Sequence, residues 1–157
     1  MKISTQLRYD VAPAEVAKQA VDLEAAGLDL IWVAEAYGVD AVSIMGYLAA
    51  VTERVEIASG ILPLYTRTPT LLAMTAAGVD ALSGGRCVLG LGASGPQVIE
   101  GFHGVPYDKP LTRTREIIEI CRQVWKRERV QYEGKAYTVP LPEGQGTGRG
   151  KPLKLTT

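Results

Sequence analysis

The stretch from Cys87 to Asp108, CVLGLGASGPQVIEGFHGVPYD, concentrates the residues whose types and spacing could do chemistry. A short apolar run leads into a glycine-rich loop, and the polar residues Glu100 and His103 follow. After a strand, such a loop lets backbone N–H groups approach an anionic or planar ligand. His103, the single histidine of the chain, is a candidate general acid or base. It could equally stabilise a turn through a hydrogen bond.

Glu35 is the second candidate catalytic residue. It directly follows an apolar run, Leu30 to Ala34, that reads as a buried strand. The carboxyl ends of parallel strands form the functional face of both doubly wound sheets and (β/α)8 barrels. A site role and a helix-capping or structural role are both open for Glu35.

Residues 90–95, GLGASG, fit the G-x-G-x-x-G pattern of dinucleotide-binding folds. In those folds the pattern opens a helix directly, whereas Pro96 follows here and the next clear helical pattern begins near Pro110. A nicotinamide-binding Rossmann enzyme is therefore an alternative that the spacing disfavours.

The elements that would position these residues alternate regularly along the chain. Four strand patterns each precede a helix pattern, which predicts a parallel sheet with right-handed crossovers. The alternation alone does not separate an open doubly wound sheet from a (β/α)8 barrel. The predicted strands cover residues 2–7, 30–34, 55–62 and 87–91, and the predicted helices cover about 13–26, 40–51, 68–83 and 110–127.

The pattern changes after the fourth helix. Residues 130–139 predict a small hairpin, and the segment 143–151 is rich in glycine. The last residues, 152–157, read as the start of another strand. We therefore expect residues 1–157 to be one half of a larger unit, with the hairpin and glycine-rich loop at about 128–151 as an insertion.

Composition narrows the function classes. Hydrophobic residues make up 46% of the chain and charged residues 22%, as in globular proteins. Lysine plus arginine equals aspartate plus glutamate at 17 each, so no nucleic-acid or acidic-membrane partner is expected. Without an apolar run of about 20 residues or a secretory segment, we predict a cytoplasmic protein. We expect Cys87 and Cys121 to be reduced, buried thiols, and their spacing is not that of a metal site.

The helices predicted at 40–51 and 69–82 carry apolar residues most of the way round. A helix on the outside of an α/β fold should keep one polar face. Extra packing within the chain would explain the pattern, but we favour a homodimer built through these two helices.

With these residues in view, the chain resembles the luciferase-like monooxygenase superfamily, and more narrowly its coenzyme F420-dependent oxidoreductases. The resemblance extends over essentially the whole chain, and the run GASGPQVIEGFHGVPY is its most specific part. The matching stretches are 31–43, 66–69, 81–95, 95–107, 110–122 and 148–155.

The resemblance implies a TIM (β/α)8 barrel, of which this chain holds the first four βα units and the start of strand five. It implies an enzyme that transfers a hydride between coenzyme F420, a deazaflavin, and a small organic substrate. Relatives that bind FMN instead catalyse oxygen-dependent monooxygenation, and an FMN-dependent monooxygenase is therefore an alternative. A non-catalytic half-barrel subunit is a second alternative.

The resemblance also implies positions for the cofactor. Gly60 and Ile61 match a bulge, often with a non-prolyl cis peptide, behind the deazaflavin ring. Ala93, Ser94 and Gly95 match the loop that contacts the cofactor.

Two further positions follow from the same resemblance. Glu35 matches an acidic or polar position facing the ring. Sugar-phosphate dehydrogenases of the superfamily carry His and Trp where this chain has Ala36-Tyr37-Gly38, so that substrate is disfavoured and Tyr37 is a candidate substrate or ring contact. The resemblance transfers no catalytic acid or base, and Glu35 and His103 stay weak candidates for that role.

Overall fold

The computed structural model describes residues 1–8 and 10–156. Strands and helices alternate through the first two-thirds of the chain, and a hairpin follows. The strands are β1 (Ser4–Gln6), β2 (Leu30–Val33), β3 (Glu56–Ser59), β4 (Leu62–Pro63), β5 (Cys87–Val88), β6 (Leu91–Gly92), β7 (Tyr132–Glu133) and β8 (Thr138–Val139). The helices are α1 (Pro13–Ala25), α2 (Ala41–Val51), α3 (Pro69–Ser83), α4 (Pro96–Ile99) and α5 (Pro110–Trp125).

The central sheet is parallel and takes its strands in chain order, β1-β2-β3-β5. A second, two-stranded parallel sheet pairs β4 with β6. The strands predicted at 55–62 and 87–91 therefore each occur as two pieces. The first breaks at Gly60 and Ile61, whose peptide bond is cis, and the second at Leu89 and Gly90. The predicted α/β fold with a parallel sheet is confirmed, and residues 1–8 and 10–156 form no closed barrel.

The helix boundaries follow from local chemistry. The Asp40 carboxylate accepts the Ser43 N–H at 2.8 Å at the start of α2, and the Thr68 hydroxyl accepts the Leu71 N–H at 3.3 Å at the start of α3. Gly84 ends α3 with φ of 68°, a left-handed conformation that favours glycine.

The core lies between the sheet and the helices. Ile31 and Ile57 are fully buried on neighbouring strands, and Leu48 of α2 and Leu72 of α3 are buried with them. Helix α5 buries Ile117, Ile120 and Val124, spaced by three and four residues, as one apolar stripe. It packs against α3, where the Trp125 indole N–H donates to Ala73 O at 3.0 Å.

A buried carboxylate fixes the backbone before β3. Glu24, at the end of α1, accepts the N–H groups of Glu53, Arg54 and Val55 at 2.6 to 3.1 Å. Desolvation opposes ionisation of Glu24, but the three N–H donors outweigh it and hold its pKa below the ordinary value. No sequence pattern predicted this contact, because Glu24 lies 29 to 31 residues before the backbone groups that it binds.

Arg86, just before β5, also fixes backbone through its side chain. Its guanidinium donates to the carbonyl oxygens of Ala49, Thr52, Val55 and Ser83 at 2.6 to 3.1 Å. These carbonyls belong to the end of α2, the connection to β3 and the end of α3. One side chain therefore ties three consecutive segments together.

The predicted hairpin is present, with β7 and β8 antiparallel. The Glu116 carboxylate of α5 accepts the N–H groups of Lys135, Ala136 and Tyr137 at 2.7 to 3.0 Å. The hairpin is thus held against α5 by side-chain-to-backbone hydrogen bonds.

Two predictions for the later part of the chain are wrong. Pro96 begins the short helix α4 instead of interrupting the structure, because proline fits the first turn of a helix, where its missing N–H is not needed. Residues 152–156 form no strand. A strand requires hydrogen bonds to a neighbouring strand. Leu153 O accepts the Val130 N–H at 2.9 Å, but Val130 lies in no strand. Thr157, the last residue of that predicted strand, lies outside the described residues.

Both cysteine thiols are free, as predicted, with Cys121 buried and Cys87 partly buried. Within the described ranges, no helix is long and apolar enough to span a membrane.

Candidate functional site

The pairing of β4 with β6 brings the two predicted cofactor segments side by side. The Leu62 N–H donates to Gly90 O at 2.9 Å, and the Leu64 N–H donates to Gly92 O at 3.0 Å. A Cβ atom on Gly92 would lie 3.0 Å from Cγ1 of Ile61. Ile61 and the loop that begins at Ala93 therefore border one surface at the carboxyl ends of two strands.

Gly90 is the point of closest approach between the two strand breaks. The Ser59 hydroxyl donates to Gly90 O and accepts the Gly90 N–H, both at 2.8 Å. A Cβ atom on Gly90 would lie 2.0 Å from Ser59 O, closer than any side chain can come. Ser59 is fully buried. The sequence marked Gly90 as part of a motif but gave no sign of its partner.

Trp32 forms the other side of this surface. A Cβ atom on Gly60 would lie 3.4 Å from Cβ of Trp32. Ile31 and Val33 are buried beneath the helices, so Trp32 between them faces the opposite side of the sheet. Because every residue of β2 is apolar, the sequence alone did not show which of them faces this surface.

The loop after β6 folds tightly on itself. Ser94 adopts φ of 56°, and the Tyr107 hydroxyl donates to Ser94 O at 3.3 Å. The Glu100 carboxylate accepts the Tyr107 N–H at 3.0 Å. Ile99 of α4 is fully buried and anchors the loop. Gly95 lies beside open space, since a Cβ atom there would meet nothing within 4 Å.

Glu35 is engaged by a neighbouring arginine. The Arg67 guanidinium donates to both oxygens of Glu35, at 2.6 and 2.8 Å, and to Asp40 at 2.6 Å. The Ala41 N–H also donates to Glu35, at 3.2 Å. The Glu35 and Arg67 side chains are only 12% and 13% exposed. The hydrogen bond to Glu35 raises the pKa of Arg67.

This geometry favours the structural role that was open for Glu35. The fork-to-fork pair joins the loop after β2 to the loop after β4, and it occupies both carboxylate oxygens. Sequence reasoning missed Arg67 as its partner, although Arg67 lies in the TRTP stretch that matched the family.

His103 lies on the exposed part of the loop after α4. Its ring contacts the Phe102 ring edge-on, with centroids 5.1 Å apart. In the part of the chain that the structure describes, the imidazole makes no protein hydrogen bond, so the alternative turn-stabilising bond is not seen there. Phe102 and Tyr37 also touch, with ring centroids 6.3 Å apart.

The residues brought together suit an organic ring system. Gly60, Ile61, Ala93, Ser94 and Gly95 offer backbone and small side chains, with free space at Gly95. Such a surface admits the close approach of a flat ligand. No group of three or more His, Cys, Asp or Glu residues within 1–8 and 10–156 could hold a metal ion.

Known proteins are similar in sequence to this chain over most of its length. A putative coenzyme F420-dependent oxidoreductase of Mycobacterium tuberculosis is 46% identical over 160 residues, covering 100% of this chain and 46% of that protein. The 5,10-methylenetetrahydromethanopterin reductase of Archaeoglobus fulgidus is 31% identical over 138 residues, covering 87% and 41%. The chain therefore spans less than half the length of these relatives.

A solved structure has the same fold. The coenzyme F420-dependent tetrahydromethanopterin reductase of Methanopyrus kandleri superposes with a TM-score of 0.80 at 25% identity, covering 98% of this chain and 46% of that one. The sequence model of luciferase-like monooxygenases matches residues 1–153. By this match, and by the split strands and glycine-rich loop that shape its surface, the chain belongs to the luciferase-like monooxygenase family.

Proposed function

We propose that this protein is a coenzyme F420-dependent oxidoreductase acting on a small organic substrate. The observation that carries the proposal is the pairing of β4 with β6, which sets Ile61 beside the loop at 93–95. The 46% identical relative is described as a putative coenzyme F420-dependent oxidoreductase, and the Methanopyrus enzyme as dependent on the same coenzyme.

Five residues would hold the coenzyme. Gly60 and Ile61 lie between Trp32 and Gly92 and would support one face of the ring. Ala93, Ser94 and Gly95 would border its edge, because they follow β6 directly. When bound, F420 would supply two-electron chemistry, giving a hydride to the substrate or accepting one from it.

The chain's own residues give this surface rigidity. The Ser59–Gly90 hydrogen bonds fix the crossing of the strands. The Arg67–Glu35 pair fixes the two loops that flank β3 and β4. Glu35 as a ring contact, and His103 as an acid or base, stay predictions.

The proposal includes the complete barrel. The chain would supply the first four βα units of a (β/α)8 barrel, with the hairpin and glycine-rich loop at about 128–151 as an insertion. The length of the relatives and the parallel order β1-β2-β3-β5 support this architecture.

A homodimer is part of the proposal as well. Helix α3 exposes Leu71, Met74 and Leu82, which lie along one face of the helix, and α2 exposes Tyr47. Large exposed apolar patches mark interaction surfaces. Analytical ultracentrifugation should show a dimer that Leu82→Glu dissociates. The cytoplasmic location stays a prediction.

Fluorescence titration of the purified protein with F420 and with FMN tests the cofactor. Gly95→Leu is the sharpest variant, because its side chain would enter space that the folded chain leaves open. We expect it to unfold like the parent protein and to lose F420 binding. Gly150→Leu is the matched control, since a Cβ atom there meets Pro140 at an ordinary 3.7 Å.

Three results would contradict the proposal. Tighter binding of FMN than of F420 would assign the protein to the monooxygenase alternative. Binding of neither would leave the non-catalytic half-barrel. Unchanged F420 affinity in Gly95→Leu would move the coenzyme away from the loop at 93–95.

A further inference from the structure

Three aromatic rings stand exposed on two loops, one after β2 and one after α4. Tyr37 is 70% exposed and Phe102 is 64% exposed, and their rings meet edge-to-face at an interplanar angle of 61°. The His103 ring meets Phe102 at 80°. We call Tyr37, Phe102 and His103 the aromatic wall.

Sheet order relates the wall to the end of β4. Tyr37 lies in the connection from β2 to α2, and Phe102 lies in the connection from β6 to α5. Because β2 and β5 flank β3, and β6 pairs with β4, rings that reach each other from these two connections meet beyond the carboxyl end of β4. Gly60 and Ile61, the proposed support of the cofactor ring, lie between β3 and β4, just before that end.

The loops beneath the wall are firmly held. The N–H groups of Phe102 and His103 both donate to Val98 O, at 3.0 and 3.2 Å. The segment that carries Tyr37 is held at both ends by the Arg67 hydrogen bonds to Glu35 and Asp40. The rings are therefore presented by fixed backbone.

The chemistry of the wall defines what fits against it. Edge-to-face packing leaves ring faces free to stack on a flat apolar body. Within the described ranges, the Tyr37 hydroxyl and the His103 imidazole have no protein hydrogen-bond partner, so either can bind an oxygen of the ligand. The nearby Arg67 is already paired with two carboxylates, so the wall offers no unpaired guanidinium to a phosphate group.

We infer that the aromatic wall binds the substrate, and that the substrate is an aromatic or cyclic compound with a ketone or hydroxyl group. This inference rests on the proposed function, since it places the ring of the substrate beside the cofactor. On this inference the occupant of the aromatic wall is a small ligand, and not another segment of polypeptide.

The test compares acetophenone with acetone as binding probes by calorimetry on the purified protein. We expect acetophenone to bind at least about tenfold more tightly than acetone, and Phe102→Ala to remove most of that difference. Phe102→Tyr should retain it, because the ring remains. Leu141→Ala, which truncates a side chain that is 63% exposed after the hairpin, is the control and should change nothing.

Titration with F420 separates this inference from the proposed function. Unchanged F420 affinity in Phe102→Ala, with weakened acetophenone binding, supports the wall. If the parent protein binds F420 but does not prefer acetophenone, the inference is wrong and the proposed function stands. If the parent binds no cofactor, the proposed function fails. Acetophenone binding that Phe102→Ala leaves unchanged would also overturn the inference.

Discussion

Replacing Gly90 with alanine should destabilise the protein strongly. The added Cβ would lie 2.0 Å from Ser59 O, a backbone atom that cannot move without shifting β3. Relieving the clash separates the two strands and removes three hydrogen bonds, two with the Ser59 hydroxyl at 2.8 Å and one from the Leu62 N–H at 2.9 Å.

The magnitude follows from those bonds. At about 1 kcal/mol net for each, their loss lowers the free energy of unfolding by about 3 kcal/mol. Proteins typically have only about 5–15 kcal/mol in total. With a urea dependence of about 2 kcal/mol per molar, the unfolding midpoint should fall by about 1.5 M.

Two neighbouring glycines provide matched controls for Gly90. Gly92→Ala places its Cβ 3.0 Å from Ile61, a side chain that can shift by a few tenths of an ångström, so we expect a loss of about 1 kcal/mol. Gly95→Ala meets nothing within 4 Å and should be neutral or slightly stabilising. All three variants are measured by urea unfolding followed by circular dichroism.

The order of the unfolding midpoints of the three variants tests whether the Ser59–Gly90 contact is as close as described. A Gly90→Ala midpoint within about 0.3 M of the parent, well below the shift worked from its hydrogen bonds, would refute the reasoning. So would a larger loss in Gly92→Ala than in Gly90→Ala. If Gly90→Ala does not fold, Ser59→Ala tests the same contact, because it removes two of the three hydrogen bonds without a clash, and we expect a loss of about 2 kcal/mol.

Three further predictions concern buried charges and thiols. Glu24→Gln should lower the free energy of unfolding by about 2 kcal/mol at pH 7; because the folded-state pKa of Glu24 is lowered, its contribution is present above the ordinary value of 4.5 and is lost as the pH falls through the folded pKa, so the stabilities of parent and variant should converge at pH values below the folded pKa. Arg67→Lys should cost about 1–2 kcal/mol and Arg67→Met about 3 kcal/mol in chemical unfolding, because lysine keeps the charge but not the fork, whereas methionine leaves Glu35 uncompensated; equal losses would argue against the fork. Burial raises the pKa of the Cys87 and Cys121 thiols to about 11, so a thiol-specific disulfide reagent should label the buried Cys121 only on unfolding and the partly buried Cys87 much more slowly than an exposed thiol; rapid labelling of both in the native protein at pH 7 would contradict this.

Sequence reasoning was strongest where the signal is local. The helix starts at Asp40 and Thr68 follow from capping residues a few positions away, and the parallel sheet follows from strand-helix alternation. Pro96 shows the limit of local signals, since proline ends some segments and begins others. Here Pro96 begins a helix that buries Ile99, and the sequence of the loop did not show that burial.

Contacts between distant segments carried no such signal. Glu24 reaches backbone 29 to 31 residues away, and Ser59 meets Gly90 across 31 residues. Any exposed position could hold a glutamate or a serine, so residue type alone does not reveal these partners. The cofactor residues were placed by resemblance to a family, and the structure adds that β4 and β6 bring them side by side.

Arg86 has a consequence for how the fold comes apart. Its guanidinium accounts for hydrogen bonds to Ala49, Thr52, Val55 and Ser83 at once, so opening any one of these segments exposes charged donors that serve the others. The second and third βα units therefore cannot fray separately at this end of the sheet. They should exchange their amide hydrogens as a single cooperative unit, with similar protection on both sides of β3.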